Sequence, residues 1–508
     1  MQLDDLLKID LSLVVMKSNS AGSDICESVD EIKAVEIDSR KCKAGCLFVA
    51  YQGLNVDGHD YIDDAVKNGA RFILVKSGFV EKTNEYDNVI FISHDDPKSI
   101  LSKILSIFYK DKPEYIAFVT GTNGKSSVAC FVSQLWRLLG YKAASIGTLG
   151  IQKNDITEFG GGLTTPDIVT MHKELCELKN LGYQYVVIET SSHGLDMGRL
   201  SGIESNISAF LNITRDHLDY HGDFESYFKA KLQIFDYLKE NNSASLINSD
   251  IKEFELINEH LTKKILNSNV KNLTFGKKGN YIKLLKSSLS LSGRNVVIEY
   301  NNNEYEFFFP FLNHFQVSNL LCAMSIVLHS GMNIEKIISG ISGIKNVPGR
   351  MELASISKNN DVPIYVDYAH TPDALDNILK SCREYVNSTN GKIILVFGCG
   401  GDRDKGKRKI MGKIASDNAD LVIVTDDNPR TENPDDIRND IISECSKAEN
   451  ISSRESAVYR AIELSAKGDI VIIAGKGHEK YQIVGSIKIE FDDVSVVKKA
   501  LNEIEMIA

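Results

Sequence analysis

The segment Ile116 to Arg137, IAFVTGTNGKSSVACFVSQLWR, decides how the rest of the chain is read. Ile116, Ala117, Phe118 and Val119 make a short apolar run of strand character. Gly121-Thr122-Asn123-Gly124 then forms a turn. From Lys125-Ser126-Ser127 onward, Val128, Phe131, Val132, Leu135 and Leu138 recur at helical spacing until Gly140. Strand, glycine loop and helix in that order make a phosphate-binding device. Glycines let the backbone approach phosphate oxygens, and the N–H groups of the loop and helix start point at the anion. Lys125 is expected at the terminal phosphates and the Ser126 hydroxyl at Mg²⁺. The common loop carries a further glycine where this chain has Val119. A glycine-rich turn with a chance lysine is the plainer reading, but the strand–helix context favours nucleotide binding.

The 508 residues suggest roughly three domains of about 150 residues each. A net charge of −11 argues against nucleic acid as a partner, since no basic excess exists to neutralise phosphates. The N-terminal MQLDDLLKID carries acids where a signal peptide is basic, and no apolar run approaches the roughly 18 residues of a membrane span. Of the nine cysteines only Cys42 and Cys46 lie close together, which argues against zinc and for reduced thiols in a cytoplasmic protein.

Upstream of the loop, Cys46 to Ala50 and Phe72 to Val75 read as strands around a helix Tyr61 to Gly69. Asp38-Ser39-Arg40 reads by itself as an ordinary turn. Gly53 to His59 is a connecting loop, and the helix Pro97 to Tyr109 leads to Lys112-Pro113, a plausible boundary. Downstream, Ile146 to Gly150 is a second glycine-punctuated turn. Gly160-Gly161-Gly162-Leu163-Thr164-Thr165-Pro166 is a loop before the helix Asp167 to Leu181. Tyr185 to Ile188 is a continuous apolar strand ending in Glu189, where a Mg²⁺-binding carboxylate is expected; the alternative is a strand-end acid facing water. Asn212-Ile213-Thr214-Arg215-Asp216-His217-Leu218-Asp219-Tyr220-His221-Gly222 is dense enough in histidine and aspartate to suggest a polar site. Phe224 to Leu238 reads as an amphipathic helix whose Lys229 and Lys231 are, by composition, solvated. Residues 242–306, rich in Asn, Lys and Ser, read as short strands peripheral to the chemistry, and the next helix is expected over Leu320 to His329.

The third unit begins near Val347-Pro348-Gly349-Arg350. Four apolar strands follow, Ile364 to Val366, Ile393 to Phe397, Leu421 to Val424 and Ile470 to Ala474, each ending in a polar loop. Strands alternating with helices predict an α/β fold with a mostly parallel sheet, whose ligands gather at the strands' carboxyl ends. Four polar loops at one edge indicate a site.

The motifs DSR, GTNGKS, LTTPD, ETSSHGL, NITRDHLDYHG, YFKAK, HFQVSN, VPGRME, VDYAHTPDAL, FGCGGDRDKGKR, DDNPR and GKGHE, in this order, resemble the Mur ligases over nearly the whole chain. These are ATP-dependent amide-forming enzymes of peptidoglycan precursor synthesis. The resemblance implies three domains: a small α/β UDP-sugar-binding domain (residues 1–112), a central phosphate-loop domain with a parallel sheet (113–345), and a Rossmann-like α/β domain (346–508) that closes to bring the amino acid. It implies ATP contacts at Gly121, Thr122, Asn123, Gly124, Lys125, Ser126, Ser127, Asn319, Arg350, Asp367 and His370. Two Mg²⁺ ions would be held by Ser126, Glu189, His217 and Lys231, the last as an N6-carboxylysine. Lys125, Glu189, His217 and Lys231 are the implied catalytic residues. Ser39, Thr164, Thr165, Ser191 and Arg199 match residues for a UDP-MurNAc-L-Ala-D-Glu substrate.

Arg403, Asp427, Asn428, Pro429, Arg430, Gly475 and Glu479 match the amino-acid site. In the family Asp-Asn-Pro-Arg accompanies meso-diaminopimelate, and alanine in place of the arginine accompanies L-lysine. An arginine fork suits the far carboxylate that lysine lacks, and Glu479 suits a substrate ammonium. Two departures are Leu163, where asparagine is frequent, and Val494, where arginine is common. The implied reaction passes through an acyl phosphate on the D-glutamyl γ-carboxylate, in a cytoplasmic monomer with no nucleic-acid or membrane partner. The alternatives are an L-lysine-adding ligase, folylpolyglutamate synthetase, or a non-catalytic relative that only binds the precursor.

Overall fold

A computed structural model describes the chain except for residues 18–30, 54–55, 80–85, 87, 154–155, 159–162, 267, 291–292, 358–359 and 508. Leu54, Asn55 and the glycines at 160–162 therefore lie outside the described residues. The chain divides into two units: Met1–Glu114 with Pro166–Tyr183 and Met197–Glu204, and Tyr115–Thr165 with Gln184–Asp196 and Ser205–Ala508. Among the described residues no helix is long and apolar enough to cross a membrane.

In the first unit five strands pair in the order Val14–Lys17, Ile90–His94, Ala70–Lys76, Cys46–Val49, Ala34–Glu36. Only the first pair is antiparallel. Both faces are covered, which is why these strands read as continuous apolar runs. Leu47, Phe72, Leu74 and Ile92 pack on one side with Leu101 and Leu105 of helix Pro97–Phe108 and with Ile168 and Val169 of helix Ile168–Asn180. Phe48, Ile73 and Phe91 pack on the other with Ile62 and Ala65. The predicted helix at 61–69 is shorter, Ile62–Lys67, behind the 3-10 turn Gly58–Tyr61. Cys42 and Cys46 are free thiols with their sulfurs 3.9 Å apart.

The second unit contains an eleven-stranded sheet, a six-stranded sheet and a separate hairpin. The strand Tyr115–Thr120 lies between Tyr185–Glu189 and Ile207–Phe210, with Ala244–Asn248 next outward, all parallel. The carboxyl ends of four neighbouring strands therefore open on one edge, where ligands of such sheets bind. Ala143–Gly147 turns back antiparallel into Gly150–Lys153. Helix Lys125–Leu138 and helix His314–His329 pack over this sheet with nearly every apolar side chain buried. The latter helix starts six positions before the expected Leu320, so Gln316 and Asn319 lie within it rather than ahead of it. The amphipathic stretch at 224–238 is also interrupted: helix Phe224–Leu232 gives way to the 3-10 turn Gln233–Tyr237.

Residues 242–306 are not peripheral. Ala244–Asn248, Lys271–Gly276, Ile282–Ser290 and Gly293–Tyr300 extend the large sheet, followed by Asn303–Phe309 at its edge. Asn248, Asp250 and Ile251 line a cavity shared with the phosphate loop. Short strands were expected here; the composition did not show that they join the large sheet and bring residues to the cavity.

The six-stranded sheet runs Glu352–Ile356, Pro363–Asp367, Ile470–Ala474, Ile393–Phe397, Leu421–Val424, Glu449–Asn450. The strand latest in sequence, Ile470–Ala474, is inserted at the centre, parallel to both neighbours. All four polar loops consequently emerge at one edge, as the alternation of strands and helices predicted.

Candidate active site

The phosphate loop leaves the central strand at Thr120. Gly124 has a left-handed φ of +90°, and a Cβ there would meet Asn319 Oδ1 at 2.5 Å. Glycine is required for both reasons. The tip residue Asn123 is held at its backbone by Asn212, whose Oδ1 accepts from Asn123 N (2.9 Å) and whose Nδ2 donates to Asn123 O (3.0 Å). Its side chain donates to Asp373 Oδ2 at 2.8 Å. Lys125 Nζ donates to the carbonyls of Gly121 (2.8 Å) and Thr122 (3.0 Å). Burial lowers the pKa of this ammonium, opposed by the charges of Glu189 and Asp216.

Glu189 is not a strand-end acid facing water; it is 2 % exposed. Its carboxylate accepts from Ser126 Oγ (2.9 Å), Thr148 Oγ1 (3.0 Å) and Thr148 N (3.2 Å). A Cβ at Gly147 would overlap that carboxylate, which explains the glycine of the second turn. Burial raises the pKa of Glu189 against the pull of Lys125 and Arg350. Thr164, Thr165 and Ser191 gather beside it. Thr164 Oγ1 lies 3.0 Å from Thr148 Oγ1, and Thr165 Oγ1 donates to the Glu189 carbonyl and lies 3.2 Å from Ser191 Oγ. Arg199 and Ser39 belong to the other unit, where Ser39 is buried in the turn Ser39–Lys41, capped by the Asp38 carboxylate.

Lys231 overturns the expectation drawn from composition, since it is 1 % exposed, whereas Lys229 is solvated and paired with Glu225. Lys231 Nζ donates to the Gly121 carbonyl at 2.9 Å and stands 4.8 Å from the Tyr227 ring centre. Burial first, then Lys125, pushes its pKa well below the usual lysine value. The amine thus has a neutral, nucleophilic population that a solvated lysine lacks. His217 adopts a φ of +52° and sits 3.4 Å from Asp216 and edge-on to His193. Burial lowers its pKa to about 4, leaving the imidazole neutral and able to ligate. Burial opposes the Asp216 charge, but His217, His370 and Lys125 outweigh it and hold that carboxyl below its usual value.

Arg350, Asp367 and His370, at the edge of the six-stranded sheet, face the same cavity of about 750 Å³, a size typical of small-molecule sites. Arg350 stacks on Tyr368 (4.5 Å) and donates to Ser126 Oγ (3.2 Å). Asp367 accepts from Met351 N and Ala369 N, both at 2.6 Å, and burial raises its pKa to about 6. His370 Nδ1 lies 2.9 Å from the Tyr368 carbonyl. Among the described residues no group of three or more His, Cys, Asp or Glu is gathered as a metal cage.

In the loop after the strand Leu421–Val424 of the six-stranded sheet, Asn428 is a hub. Its Oδ1 accepts from Lys476 Nζ (3.0 Å) and Ile483 N (2.9 Å), and its Nδ2 donates to Glu479 Oε2 (2.9 Å). Glu479 also pairs with fully buried Lys476 at 3.2 Å. Arg430 Nη1 donates to the carbonyls of Gly401 (2.8 Å) and Asn428 (3.4 Å). Its Nε and Nη2 make no hydrogen bond among the described residues, which leaves one two-pronged edge of the guanidinium. A Cβ at Gly400 would lie 2.9 Å from Arg430 Nη1 and 3.9 Å from Arg403 Cγ, so the three residues are neighbours. Gly475, with a φ of +113°, passes beside the Asp427 carboxylate.

Residues 31–109, 119–327 and 349–477 match, respectively, the Mur ligase family catalytic domain, the Mur ligase middle domain and the Mur ligase glutamate ligase domain. The chain belongs to the Mur ligase family. It is 41% identical over 479 residues to the UDP-N-acetylmuramoyl-L-alanyl-D-glutamate–2,6-diaminopimelate ligase of Rickettsia rickettsii, covering 92% of this chain and 96% of that one. The ligase of the same name from Rhizobium meliloti (strain 1021) is 41% identical over 471 residues, covering 93% and 94%. A solved structure of a ligase so named superposes with a TM-score of 0.67 at 29% identity, covering 98% of this chain and 99% of that one. The MurF ligase of Thermotoga maritima in complex with ADP shares the Mur ligase fold, with a TM-score of 0.64 at 18% identity over 94% and 99% of the two chains.

Sequence reasoning missed several residues that this Mur ligase brings to the site. Thr148 and Asp216 stood in quoted motifs, and only the fold shows them on Glu189 and beside His217. Asn212, Asp373 and Lys476 also lay within motifs, but nothing in their spacing signalled their partners. Asn248 and Asp250 carried no signal, because they follow an ordinary strand in a stretch of low-information composition.

Proposed function

We propose that the chain is an ATP-dependent amide ligase that joins meso-2,6-diaminopimelate to the D-glutamyl γ-carboxylate of UDP-MurNAc-L-Ala-D-Glu through an acyl phosphate. The observation that carries the choice of amino acid is the open Nε–Nη2 edge of Arg430, which pairs with a second carboxylate that L-lysine lacks. The names of the relatives at about 40% identity support the same reading. In it, residues 1–112 bind the UDP-sugar, 113–345 bind ATP and 346–508 receive the amino acid. The protein works as a cytoplasmic monomer on small-molecule substrates.

Lys125 and the loop N–H groups hold the ATP phosphates, while Asn319, Arg350, Asp367 and His370 seat the nucleoside end. Thr164, Thr165 and Ser191 orient the dipeptide beside Glu189, and Ser39 and Arg199 serve the UDP-sugar. Oxygen donors suit Mg²⁺, and the Ser126 hydroxyl and Glu189 carboxylate, 2.9 Å apart, fit one ion. His217, neutral at its lowered pKa, fits a second together with Lys231 once CO₂ has turned that buried amine into a carbamate. When bound, the ions offset the repulsion between carboxylate and triphosphate and polarise the transferred phosphoryl group. Glu479 and Asp427 face the incoming ammonium groups, and Arg403 flanks Arg430.

Phosphate release from ATP with UDP-MurNAc-L-Ala-D-Glu, offering meso-diaminopimelate and L-lysine separately, tests this. Release is expected with diaminopimelate and not with lysine, and is abolished by EDTA. Release with lysine alone would overturn the Arg430 reading, and release with neither would leave a non-catalytic binder.

A further inference from the structure

The Asp427 to Arg430 segment is held by a neighbour that lies beyond the match to the glutamate ligase domain, which ends at residue 477. That neighbour is the two-stranded hairpin Tyr481–Val484 and Ile487–Glu490. Four hydrogen bonds join the two. Gln482 Nε2 donates to the Asp427 carbonyl (2.6 Å), and Ile483 N donates to Asn428 Oδ1 (2.9 Å). Arg430 N donates to the Ile483 carbonyl (3.1 Å), and Gly485 N donates to the Arg430 carbonyl (2.7 Å). Arg430 has a φ of +52°, a left-handed conformation that a residue with a side chain keeps only where its surroundings impose it. Here both of its backbone polar groups are taken by the hairpin, which supplies that imposition.

We infer that this hairpin positions Arg430, and that Gln482 is a specificity-determining residue for the incoming amino acid. Of the four bonds, Gln482 makes the only one donated by a hairpin side chain; the others use hairpin backbone. It anchors the start of the segment, three residues before the arginine. A two-pronged pairing tolerates little displacement of the guanidinium. Loosening the segment therefore weakens the grip on a distal carboxylate, while a substrate without that carboxylate loses nothing. The inference rests on the role given to Arg430 above.

The test is steady-state kinetics of the full chain carrying Gln482→Ala or Gln482→Glu, the latter of similar size but lacking the donor. Loss of about one net hydrogen bond predicts that KM for diaminopimelate rises roughly five- to tenfold in both variants. The preference over lysine should narrow by the same factor, while KM for ATP and for the UDP-dipeptide, kcat and the melting temperature hold. Unchanged diaminopimelate KM, a rise in all three KM values together, or an effect of alanine that glutamate does not share would each overturn the role of the Gln482 bond. A wild-type enzyme that preferred lysine would overturn the reading of Arg430 and this one with it. A selective wild type with an equally selective Gln482→Ala would overturn this one alone.

Discussion

Burial strips the Lys231 amine of solvent and leaves it one carbonyl and one aromatic face as partners. A buried ammonium is costly, so a methionine of similar length should be tolerated by the fold. Lys231→Met is expected to keep or raise the melting temperature while lowering turnover by at least about a hundredfold, the scale seen when one preorganised charge is removed from such a site. A carbamate resonance should appear in ¹³C NMR of the wild type in labelled bicarbonate and be absent from the variant. A variant with near-normal turnover would show that Lys231 is only a packing residue. Asn123 offers a second test at this scale. Its bond to Asp373 ties the phosphate loop to the edge of the six-stranded sheet, so Asp373→Ala should raise KM for ATP several-fold and leave KM for the amino acid alone.

Between elements, the least solvated ion pair joins the first residues of two helices. Arg454, which begins helix Arg454–Glu463, meets Asp493, which begins helix Asp493–Ile507, in two 2.8 Å bonds with both side chains at 0 % exposure. Arg454 Nη2 also donates to the Ala474 carbonyl (2.9 Å), at the end of the strand that leads into Gly475. Removing one partner leaves an uncompensated buried charge, costing about 3–5 kcal/mol. Arg454→Ala and Asp493→Ala should each lower the unfolding free energy read from urea denaturation by that much, and Arg454→Met with Asp493→Leu should recover most of the loss. None of this was legible beforehand. Neither Arg454 nor Asp493 was singled out, because nothing local says that two residues so distant in sequence share one buried site. The strands themselves were legible, since runs such as Ile393 to Phe397 are apolar on both faces.

For the whole chain, His172, His217, His329, His370 and His478 all have pKa values lowered by burial to about 4. The unfolded chain takes up these protons near the ordinary value of about 6.5, before the folded chain does. Stability is therefore fully present above that value and is lost as pH falls toward 4. Asp367, raised to about 6 by burial, acts in the opposite sense, because the folded state holds its proton more tightly. The five histidines take up their protons in the unfolded chain across this window, so the melting temperature should fall between pH 7.5 and pH 6, measurable by calorimetry in matched ionic strength. His329→Gln, away from the nucleotide cavity, should flatten part of that slope.

The sequence by itself determined the α/β class, the phosphate loop, the polar loops at strand ends and the family, because these depend on local periodicity and on short motifs whose chemistry is carried by adjacent residues. It did not determine the burial of Lys231 or Glu189, the central place of the strand Ile470–Ala474, or the sheet built by residues 242–306. Nor did it show the hairpin that holds Arg430. Those depend on which distant segments meet, and the free energy of burying a charge or closing a hydrogen bond is set by that meeting rather than by the residue's sequence neighbours.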